Sequence, residues 1–479
     1  MGDRAESLGA PYRIGLRLGC GVALAALLGC NAAPSSPSGD AQGVMPPTAK
    51  RVDVDAAASA RVSASASAMV EMAPPNEPER PPCANAHEPL IDNKDEFFLP
   101  TAQPADVSVD GQSLERLSAA ARTAQSDSLI VIKDHRVVLN RRFGSAPGPI
   151  ETRSATKGIA AVAVLALIAD GKIRSLDEPL ATFFPEFGSG PKRDITLRQV
   201  MNHSSGLRHA ATNADALNAQ SDRLAYARAL PVSTAPGTTF SYSNEATQLL
   251  TGVIAIASGE ATEEYVKRRL FSPLGIVNYR WKRDRSGAVQ TYYGLELEAQ
   301  DLARIGLLLA DGGVFAGKRV LPEDLVAQLF MPSERYGGYG LCFWLDPPVM
   351  QDEARLKAFP GSKAIKAGSL DSLNGRRFDS GELYFVEVDK LLAGDTLGLR
   401  ALHRAGKAPL QVLRESSLAA FAIGGLGQRL EIYPKARVVA VRQHRRRPGD
   451  NQRAQEDLVT FRKMQWLMQP VLRPCKAST

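Results

Sequence analysis

Ser154 and Lys157 stand three residues apart where a very apolar segment begins. The segment Gly158–Ala169 reads GIAAVAVLALIA and is apolar on every helical face, which predicts a buried helix, with Gly171 following as its C-cap. Residues three apart on a helix share a face, with Cβ atoms about 5–6 Å apart. The helix dipole favours negative charge on the serine oxygen, and burial lowers the pKa of an amine until it can act as a base. The pair therefore fits a serine nucleophile activated without a histidine.

The same spacing recurs at Ser189 and Lys192, but Gly190 and Pro191 between them interrupt any helix, so these two side chains need not meet. For Ser154 itself, the alternative interpretation is a helix N-cap followed by a surface lysine. The apolar helix favours the catalytic interpretation at Ser154, and other motifs must support it.

A second motif, Tyr242-Ser243-Asn244, follows the turn Pro236-Gly237 and is the only Y-x-N of the chain. A tyrosine beside a lysine cation has a lowered pKa and can move protons to and from a serine nucleophile. The Asn244 amide can orient a substrate carbonyl or the lysine. The alternative is a core tyrosine and an asparagine that caps the next helix.

The order and rough spacing of these two motifs resemble the serine β-lactamase and penicillin-binding-protein superfamily. The closer resemblance is to its class C-like branch of carboxylesterases, D-aminopeptidases and 6-aminohexanoate-dimer hydrolases, and it covers about 110–345 and 419–468. Further segments that look like this branch are VMNHSSGL (200–207), PGTTFSYSN (236–244), SPLG (272–275), DLARIG (301–306) and GGVFAGK (312–318).

The resemblance implies Ser154 as the acylated nucleophile, Lys157 as its base, Tyr242 as a proton shuttle and Asn244 as a substrate contact. The backbone N–H of Ser154 would be one oxyanion-hole donor, and a second N–H should come from the strand that carries a third motif. The implied fold is a mixed α/β (α+β) one, with an antiparallel sheet flanked by helices and an inserted helical domain.

The third motif departs from the superfamily. Where Lys-Thr-Gly or His-x-Gly is frequent, this chain has FAIGGLGQ (421–428), similar to the G-x-x-G-Q strand of the esterase and dimer-hydrolase members. We expect Ile423, Gly424 and Gly425 to line the oxyanion and substrate site, since glycine suits a place where substrate approaches the backbone. No basic side chain is available here to pair with a substrate carboxylate. The motif favours an ester or a small amide over a β-lactam or a peptidoglycan C-terminus.

The leading hypothesis is a serine hydrolase that cleaves esters or small amides through an acyl-enzyme on Ser154. One alternative is a D,D-carboxypeptidase or weak β-lactamase acting on cell-wall peptides. The other is a non-catalytic, penicillin-binding-type envelope protein whose catalysis the altered third motif has blunted.

The N-terminal residues 1–30 have the pattern of an export signal. Arg13 and Arg17 precede the apolar run Leu18–Leu28, which is too short to cross a bilayer comfortably, and Leu-Leu-Gly-Cys30 resembles a bacterial lipobox. We expect lipidation of Cys30 and attachment to the bilayer in the bacterial cell envelope; plain secretion and an uncleaved anchor are the alternatives. The Ala/Ser/Pro-rich stretch 31–82 predicts a flexible tether.

With Cys20 removed and Cys30 lipidated, three cysteines remain, which in an oxidising compartment suggests one pair and one free thiol. Cys83 and Cys475 flank the domain predicted for 83–475, and we expect them to bridge its two ends. Cys342, within the apolar GLCFW, is expected to be a buried thiol.

Apolar patterns predict strands at both ends of this domain and a mainly helical region, about 155–330, between them. One sheet would therefore be assembled from the two ends of the chain. The segments concerned are a helix in Val107–Ala124, a hairpin of Leu129–Lys133 and Val137–Arg142, strands Leu430–Tyr433 and Val438–Arg442, and a helix in Asp450–Met468.

The segment of about 346–420 is longer than the resembling branch carries there, and it predicts a strand at Glu382–Val388. Inserts beside a site often control access to it. A group of basic residues in this insert could restore an anion-binding site, which would support the peptidase alternative; they are Lys363, Lys366, Arg376, Arg377 and His403.

Composition excludes little: 44% hydrophobic and 23% charged residues are ordinary for a globular protein of 479 residues, and the net charge is +7. The densest basic run, Arg442–Arg447 (RQHRRR), has no interleaved aromatic residues and predicts a solvated turn rather than a nucleic-acid groove. The six histidines lack metal-ligand spacing, so we expect no metal, no cofactor and no nucleic-acid partner; the expected substrate is a small ester, amide or peptide.

Overall fold

A computed structural model describes residues 81–92, 97–144, 148–209, 215–358, 369–392, 409–448, 450, 468–469, 471–473 and 475–476. The Cys30 motif, almost all of the predicted tether and most of the helix predicted for Asp450–Met468 lie outside these residues. Within the described residues, no helix has the length and hydropathy needed to cross a membrane.

The helices concentrate in the middle of the chain. They are α1 Gly111–Thr123, α2 Thr156–Ala169, α3 Leu197–Met201, α4 Asp215–Asn218, α5 Arg223–Ala229, α6 Asn244–Ser258, α7 Thr262–Val266, α8 Ser272–Leu274, α9 Ala299–Ala310, α10 Glu323–Gln328, α11 Glu353–Ala358 and α12 Gly381–Leu391.

Fifteen short strands appear in the described residues. They are β1 Ser128–Lys133, β2 Arg136–Arg142, β3 Ile150–Glu151, β4 Arg280–Trp281, β5 Leu295–Leu297, β6 Val314–Phe315, β7 Lys318–Arg319, β8 Tyr339–Gly340, β9 Phe343–Leu345, β10 Val349–Gln351, β11 Arg377–Phe378, β12 Leu410–Val412, β13 Ala420–Gly424, β14 Gln428–Tyr433 and β15 Val438–Gln443.

The main sheet has seven strands in the order β2-β1-β15-β14-β13-β9-β8, and every neighbouring pair is antiparallel. Strands β1 and β2 come from the N-terminal side and β13–β15 from the C-terminal side. The predicted sheet, assembled from both ends of the chain, is confirmed. The β1–β2 turn is a two-residue hairpin loop, since Asp134 and His135 both have positive φ (49° and 58°).

Helices cover both faces of this sheet. On one face, α9 lies against β14 and β15, and a Cβ on Gly306 would sit 2.6 Å from Cγ1 of Val439, so glycine lets the helix approach closely. On the other face, Leu114 and Leu117 of α1 share a core cluster with Phe421. The sheet is therefore the middle of three layers.

Helix α2 is the centre of the larger core cluster and packs against α6 and β13. Every residue from Thr156 to Leu167 is buried, as its all-apolar pattern predicts, and Gly171 behind it has φ +67°. Because the helix is enclosed on all sides, its N-terminal turn is held firmly where it meets the sheet.

The insert folds around a small core of its own. Strands β11-β10-β12 form a three-stranded sheet, and helix α12 lies beside it with Tyr384, Phe385 and Val388 buried. The prediction of a strand at Glu382–Val388 is wrong, because this segment lies in helix α12 and its buried residues recur at helical spacing. Ser380 caps the helix: its Oγ accepts from the Leu383 N–H at 3.1 Å.

The two ends of the described domain are joined. Cys83 and Cys475 form a disulfide, and beside it the Cys83 N–H donates to the Lys476 carbonyl at 2.8 Å. Cys342 is free and buried.

Contrary to the prediction from its composition, the first half of the basic run Arg442–Arg447 is not solvated, whereas Arg446 in the second half is exposed. Arg442 and Gln443 are buried because they belong to the interior strand β15, and His444, just after the strand, is buried as well. The Arg442 guanidinium donates to the Gly427 carbonyl at 2.8 Å and to Oγ of Ser126 at 2.7 Å, so it fixes the β13–β14 loop.

Candidate active site

The site is built around the short 3-10 turn Arg153–Ala155, which holds Ser154 immediately before α2. Arg153 has φ +54°, a strained value for a residue with a side chain. Thr152 anchors the turn: its N–H and its Oγ1 donate to the Leu295 carbonyl at 2.8 and 2.9 Å. The hydroxyl of Ser154 is held on this turn. Because Ser154 is only half-buried, a substrate can still reach it.

Lys157 is fully buried, with 1% of its surface exposed. Its Nζ donates to Oδ1 of Asn244 at 2.7 Å and to the carbonyl of Tyr292 at 2.9 Å. A neutral amine has two N–H groups, and both are occupied by these acceptors. The lone pair is then left free to accept a proton, which is the arrangement that a general base requires.

Burial lowers the pKa of Lys157 from 10.5 to about 7, although the nearby Cys342 and Glu245 oppose the shift. A substantial fraction of the amine is therefore uncharged at neutral pH. This is the protonation state in which lysine can deprotonate a serine.

Tyr242 lies between these two residues. The Ser154 hydroxyl hydrogen-bonds to the phenol oxygen of Tyr242, and the Lys157 amine lies 4.9 Å from the centre of its ring. Burial nonetheless raises the pKa of Tyr242 well above 10. The expectation that a lysine cation lowers this pKa is wrong, because desolvation by burial raises it by more than the hydrogen bond with Ser154 lowers it. Tyr242 is therefore a neutral phenol that can pass on a proton.

Asn244 is the first residue of α6, and the capping is done by its neighbour: Oγ of Ser243 accepts from the Ala246 N–H at 3.0 Å. The Asn244 side chain is thus free to hold Lys157. Of the two partners suggested for this amide, lysine or substrate, the structure shows the lysine.

The third motif ends beside Ser154, because β13 contacts the Arg153–Ala155 turn. A Cβ on Gly424 would lie 2.2 Å from the carbonyl oxygen of Thr152 and 2.8 Å from Cβ of Arg153. Glycine is therefore required here by the approach of two backbone segments, and not only by substrate as the sequence suggested. Gly425 has nothing within 4 Å of its Cβ position, so space is open in front of it.

An aromatic wall, formed by Phe240, Tyr336 and Trp344, borders the site and was missed from the sequence. The ring of Trp344 stacks on Tyr242 with centroids 6.0 Å apart, and Phe240 stacks on Tyr336 at 4.7 Å. All three side chains of the wall are half-buried. Phe240 and Trp344 lie inside segments already singled out, but only the fold brings Tyr336 to them.

The second S-x-x-K pair is not assembled. Ser189 is exposed, while Lys192 turns away to donate to the Arg228 carbonyl at 2.6 Å. The Gly-Pro interruption has the effect that the sequence predicts.

The insert's basic residues give no anion site in the described part of the chain. The exposed Arg377 pairs with Glu415 at 2.7 Å, and Arg376 stacks on Phe378 at 5.0 Å. The other three, Lys363, Lys366 and His403, lie outside the described residues. Among the residues that are described, no three His, Cys, Asp or Glu side chains cluster as a metal site would need.

The sequence that forms this fold and site matches a known protein family. A model of the β-lactamase family matches residues 112–359, just over half of the chain. The chain therefore belongs to the β-lactamase family.

Individual relatives are distant. The chain is 24% identical to PbpX of Bacillus subtilis (strain 168), whose name classes it as a penicillin-binding protein, over 49% of this chain and 66% of that one. It is 25% identical to the Flp protein of Staphylococcus aureus (strain N315), over 36% of this chain and 38% of that one. The chain thus spans less than two thirds of the length of these curated relatives.

A solved structure from Bacteroides dorei DSM 17855, described as a β-lactamase, has the same fold. It superposes with a TM-score of 0.53 over 76% of this chain and 99% of that one, at 16% identity. At this identity the match supports the fold alone.

Proposed function

We propose that this protein hydrolyses esters or small amides through an acyl-enzyme on Ser154. The observation that carries the proposal is the buried Lys157 amine, which donates to Asn244 and Tyr292 and has a pKa of about 7. A purely structural lysine would not need to be buried without an anionic hydrogen-bond partner, since that burial opposes its charge.

In the proposed mechanism, Lys157 takes the proton from Ser154 as Oγ attacks the substrate carbonyl. Backbone N–H groups of Ser154 and of the β13 end stabilise the oxyanion. When the bond to the leaving group breaks, neutral Tyr242 gives its proton to the departing oxygen or nitrogen and is reprotonated from Lys157. Water then attacks the acyl-enzyme, its proton passes back to Ser154, and the acid is released.

The lining of the site supports uncharged substrates with an apolar group. The wall of Phe240, Tyr336 and Trp344 offers aromatic surface next to Tyr242. Beside the nucleophile, Arg153 lies 3.4 Å from Glu151, so its charge is already paired. On β14, the buried Arg429 is paired with Glu431 in the same way.

The test is intact-mass spectrometry after treatment with a fluorophosphonate probe. We expect one adduct on the parent protein and on Ser189→Ala, which removes the serine of the second S-x-x-K, and none on Ser154→Ala. Absence of an adduct from all three folded proteins would overturn the hydrolase mechanism and favour a protein that only binds.

A substrate panel separates the hydrolase alternatives. We expect turnover of uncharged aryl and alkyl esters and small amides to exceed that of penicillins and D-Ala-D-Ala peptides. The reverse order would support the cell-wall peptidase and place an anion-binding group in the site.

We further propose that the protein is exported and lipid-anchored through Cys30. The Cys83–Cys475 disulfide supports export, because disulfides persist in oxidising compartments. On expression of the full chain in a bacterium, we expect the parent to partition into the detergent phase and Cys30→Ser to remain in the aqueous phase. Equal partitioning of the two proteins would overturn the anchor.

A further inference from the structure

His203 brackets Tyr242 from both sides along the chain. The N–H of Ser241, just before Tyr242, donates to the backbone carbonyl of His203 at 2.7 Å. The N–H of Ser243, just after it, donates to Nδ1 of the His203 ring at 3.1 Å. One buried residue therefore fixes the backbone on either side of the phenol.

The His203 ring also packs directly on the Tyr242 ring. Their centroids are 4.4 Å apart, with the planes inclined by 41°. The remaining nitrogen of His203, Nε2, lies 2.9 Å from the hydroxyl of the fully buried Tyr339. The imidazole is thus held by Tyr339 on its outer side and supports Tyr242 on its inner side.

The hydrogen bonds determine the tautomer of His203. Nδ1 accepts a backbone N–H and so carries no proton, which leaves the proton of the neutral ring on Nε2, donated to Tyr339. Burial, reinforced by the nearby Lys157, lowers the pKa of His203 well below 6.5. The ring stays neutral, and it offers no proton-accepting nitrogen to the substrate or to Ser154.

We propose that His203 is a positioning residue: it holds the phenol oxygen of Tyr242 against Ser154, and turnover depends on it through Tyr242. The inference rests on the acyl-enzyme mechanism proposed above. A displacement of about 1 Å in a reacting group can reduce the rate on the order of 100-fold. The loss should appear in kcat, because the ring of the buried His203 faces Tyr242 and Tyr339.

Two conservative variants separate the contributions of Nδ1 and Nε2 of His203. In His203→Asn the amide oxygen falls near the place of Nδ1, so the acceptor for the Ser243 N–H is kept and the Tyr339 contact is lost. Asparagine also tolerates the φ of +53° found at His203. His203→Gln reaches the place of Nε2 and loses the acceptor near Ser243. The proposal expects kcat to fall less than 5-fold in His203→Asn and 30-fold or more in His203→Gln, with KM little changed in both.

A double-mutant cycle with Tyr242→Phe is the decisive measurement. If His203 acts through Tyr242, His203→Gln should lower kcat strongly in the parent and hardly at all in Tyr242→Phe. Multiplicative losses, or a His203→Gln as active as His203→Asn, would overturn the proposal. Tyr339→Phe, which keeps the ring and removes only the outer hydrogen bond, should lose no more than His203→Asn.

The variants can be compared even if one is destabilised, because fluorophosphonate labelling of Ser154 counts the competent sites in each sample. Failure of the His203 proposal would leave this labelling and the parent's turnover intact. Failure of the proposed function would instead appear as turnover that survives in Ser154→Ala.

Discussion

Lys157 and Asn244 join the first turns of two helices, with Nζ of the lysine 2.7 Å from Oδ1 of the asparagine. Lys157 is the second residue of α2, and Asn244 is the first residue of α6. The positive ends of both helix dipoles therefore lie near Ser154. The positive potential here favours the neutral form of the Lys157 amine over its ammonium form. It also stabilises a negatively charged reaction intermediate.

The first prediction concerns the pH dependence of the parent enzyme. Lys157 must be neutral to accept a proton, so kcat/KM for an uncharged ester should rise about tenfold per pH unit at acid pH and level off above about 7. The measurement is a pH–rate profile from pH 5.5 to 9, with circular dichroism to show that the fold is intact. A flat profile over this range would contradict the role of Lys157 as base.

Replacement of Asn244 by aspartate should move that profile. A carboxylate 2.7 Å from Nζ stabilises the ammonium form, so we expect the acid limb of kcat/KM to shift upward by one pH unit or more. At pH 7 the variant should lose tenfold or more in kcat/KM and recover part of it by pH 9. Asn85→Asp makes the same change of charge at an exposed position and is the control. If the acid limb of kcat/KM does not shift in Asn244→Asp, a group other than Lys157 controls the pH dependence.

Lys157→Met should reveal the cost of burying the lysine. The folded-state pKa is about 7 and the unfolded value 10.5, so the unfolded chain binds more protons between these limits and the stability of the parent rises with pH there. The stability of the variant relative to the parent should thus be greatest below pH 7 and decline by several kcal/mol toward pH 10. Chemical unfolding at pH 6, 8 and 10 measures this, with the exposed Lys172→Met as control. A difference that does not change with pH would mean that Lys157 is not neutral when buried.

Trp344→Ala tests the aromatic wall. Trp344 supplies surface next to Tyr242, and each buried CH₂ of a substrate is worth about 0.8 kcal/mol. We expect the ratio of kcat/KM for an aryl or hexanoyl ester to that for an acetyl ester to fall roughly tenfold. Phe143→Ala removes a half-buried ring elsewhere, beside Arg122, and should leave the ratio unchanged. Equal losses of kcat/KM for both esters in Trp344→Ala would show that the aromatic wall stabilises the fold and does not contact the acyl group of the substrate.

Asp346 links the insert to the sheet and should make stability depend on pH in the opposite sense. Burial, reinforced by the carboxylate of Glu382, raises the pKa of Asp346 to about 7. Because this pKa lies above the ordinary 3.8, the stabilisation is complete below about pH 4 and is lost as the pH rises through 7. Asp346→Asn should gain thermal stability relative to the parent between pH 4 and 8, whereas the exposed Asp379→Asn should not. A constant difference between Asp346→Asn and the parent would contradict this.

The four central site residues could be named from the sequence because each pair lies within a few residues on one helix start. Ser154 stands three residues before Lys157, and Tyr242 stands two residues before Asn244, the first residue of α6. The sheet was predictable for a similar reason, since alternating or continuous apolar runs at both ends have few other places to go.

What could not be predicted depends on contacts between distant segments. The Tyr292 carbonyl that holds Lys157 has no sequence signature, because every residue carries a carbonyl. Trp344 reaches Tyr242 only through the β8–β9 hairpin, and Tyr336 reaches Phe240 only through the loop before that hairpin. The burial of Arg442 could not be predicted for the same reason. The composition of a charged run does not show that carbonyl groups and a hydroxyl from distant segments will accept its hydrogen bonds inside the fold.

The two ends of the insert lie side by side, at the ends of the main sheet's strands β9 and β13. Leu345 and Ala420 are paired across β9 and β13, and beyond them the Asp346 N–H donates to the Ala419 carbonyl at 3.3 Å while the Leu418 N–H donates back at 3.2 Å. The insert thus leaves and rejoins the sheet at two points only one strand spacing apart, roughly 5 Å. We therefore expect that a tight turn can replace the insert, or that a different recognition module can be grafted in its place, without displacing strands β9 and β13.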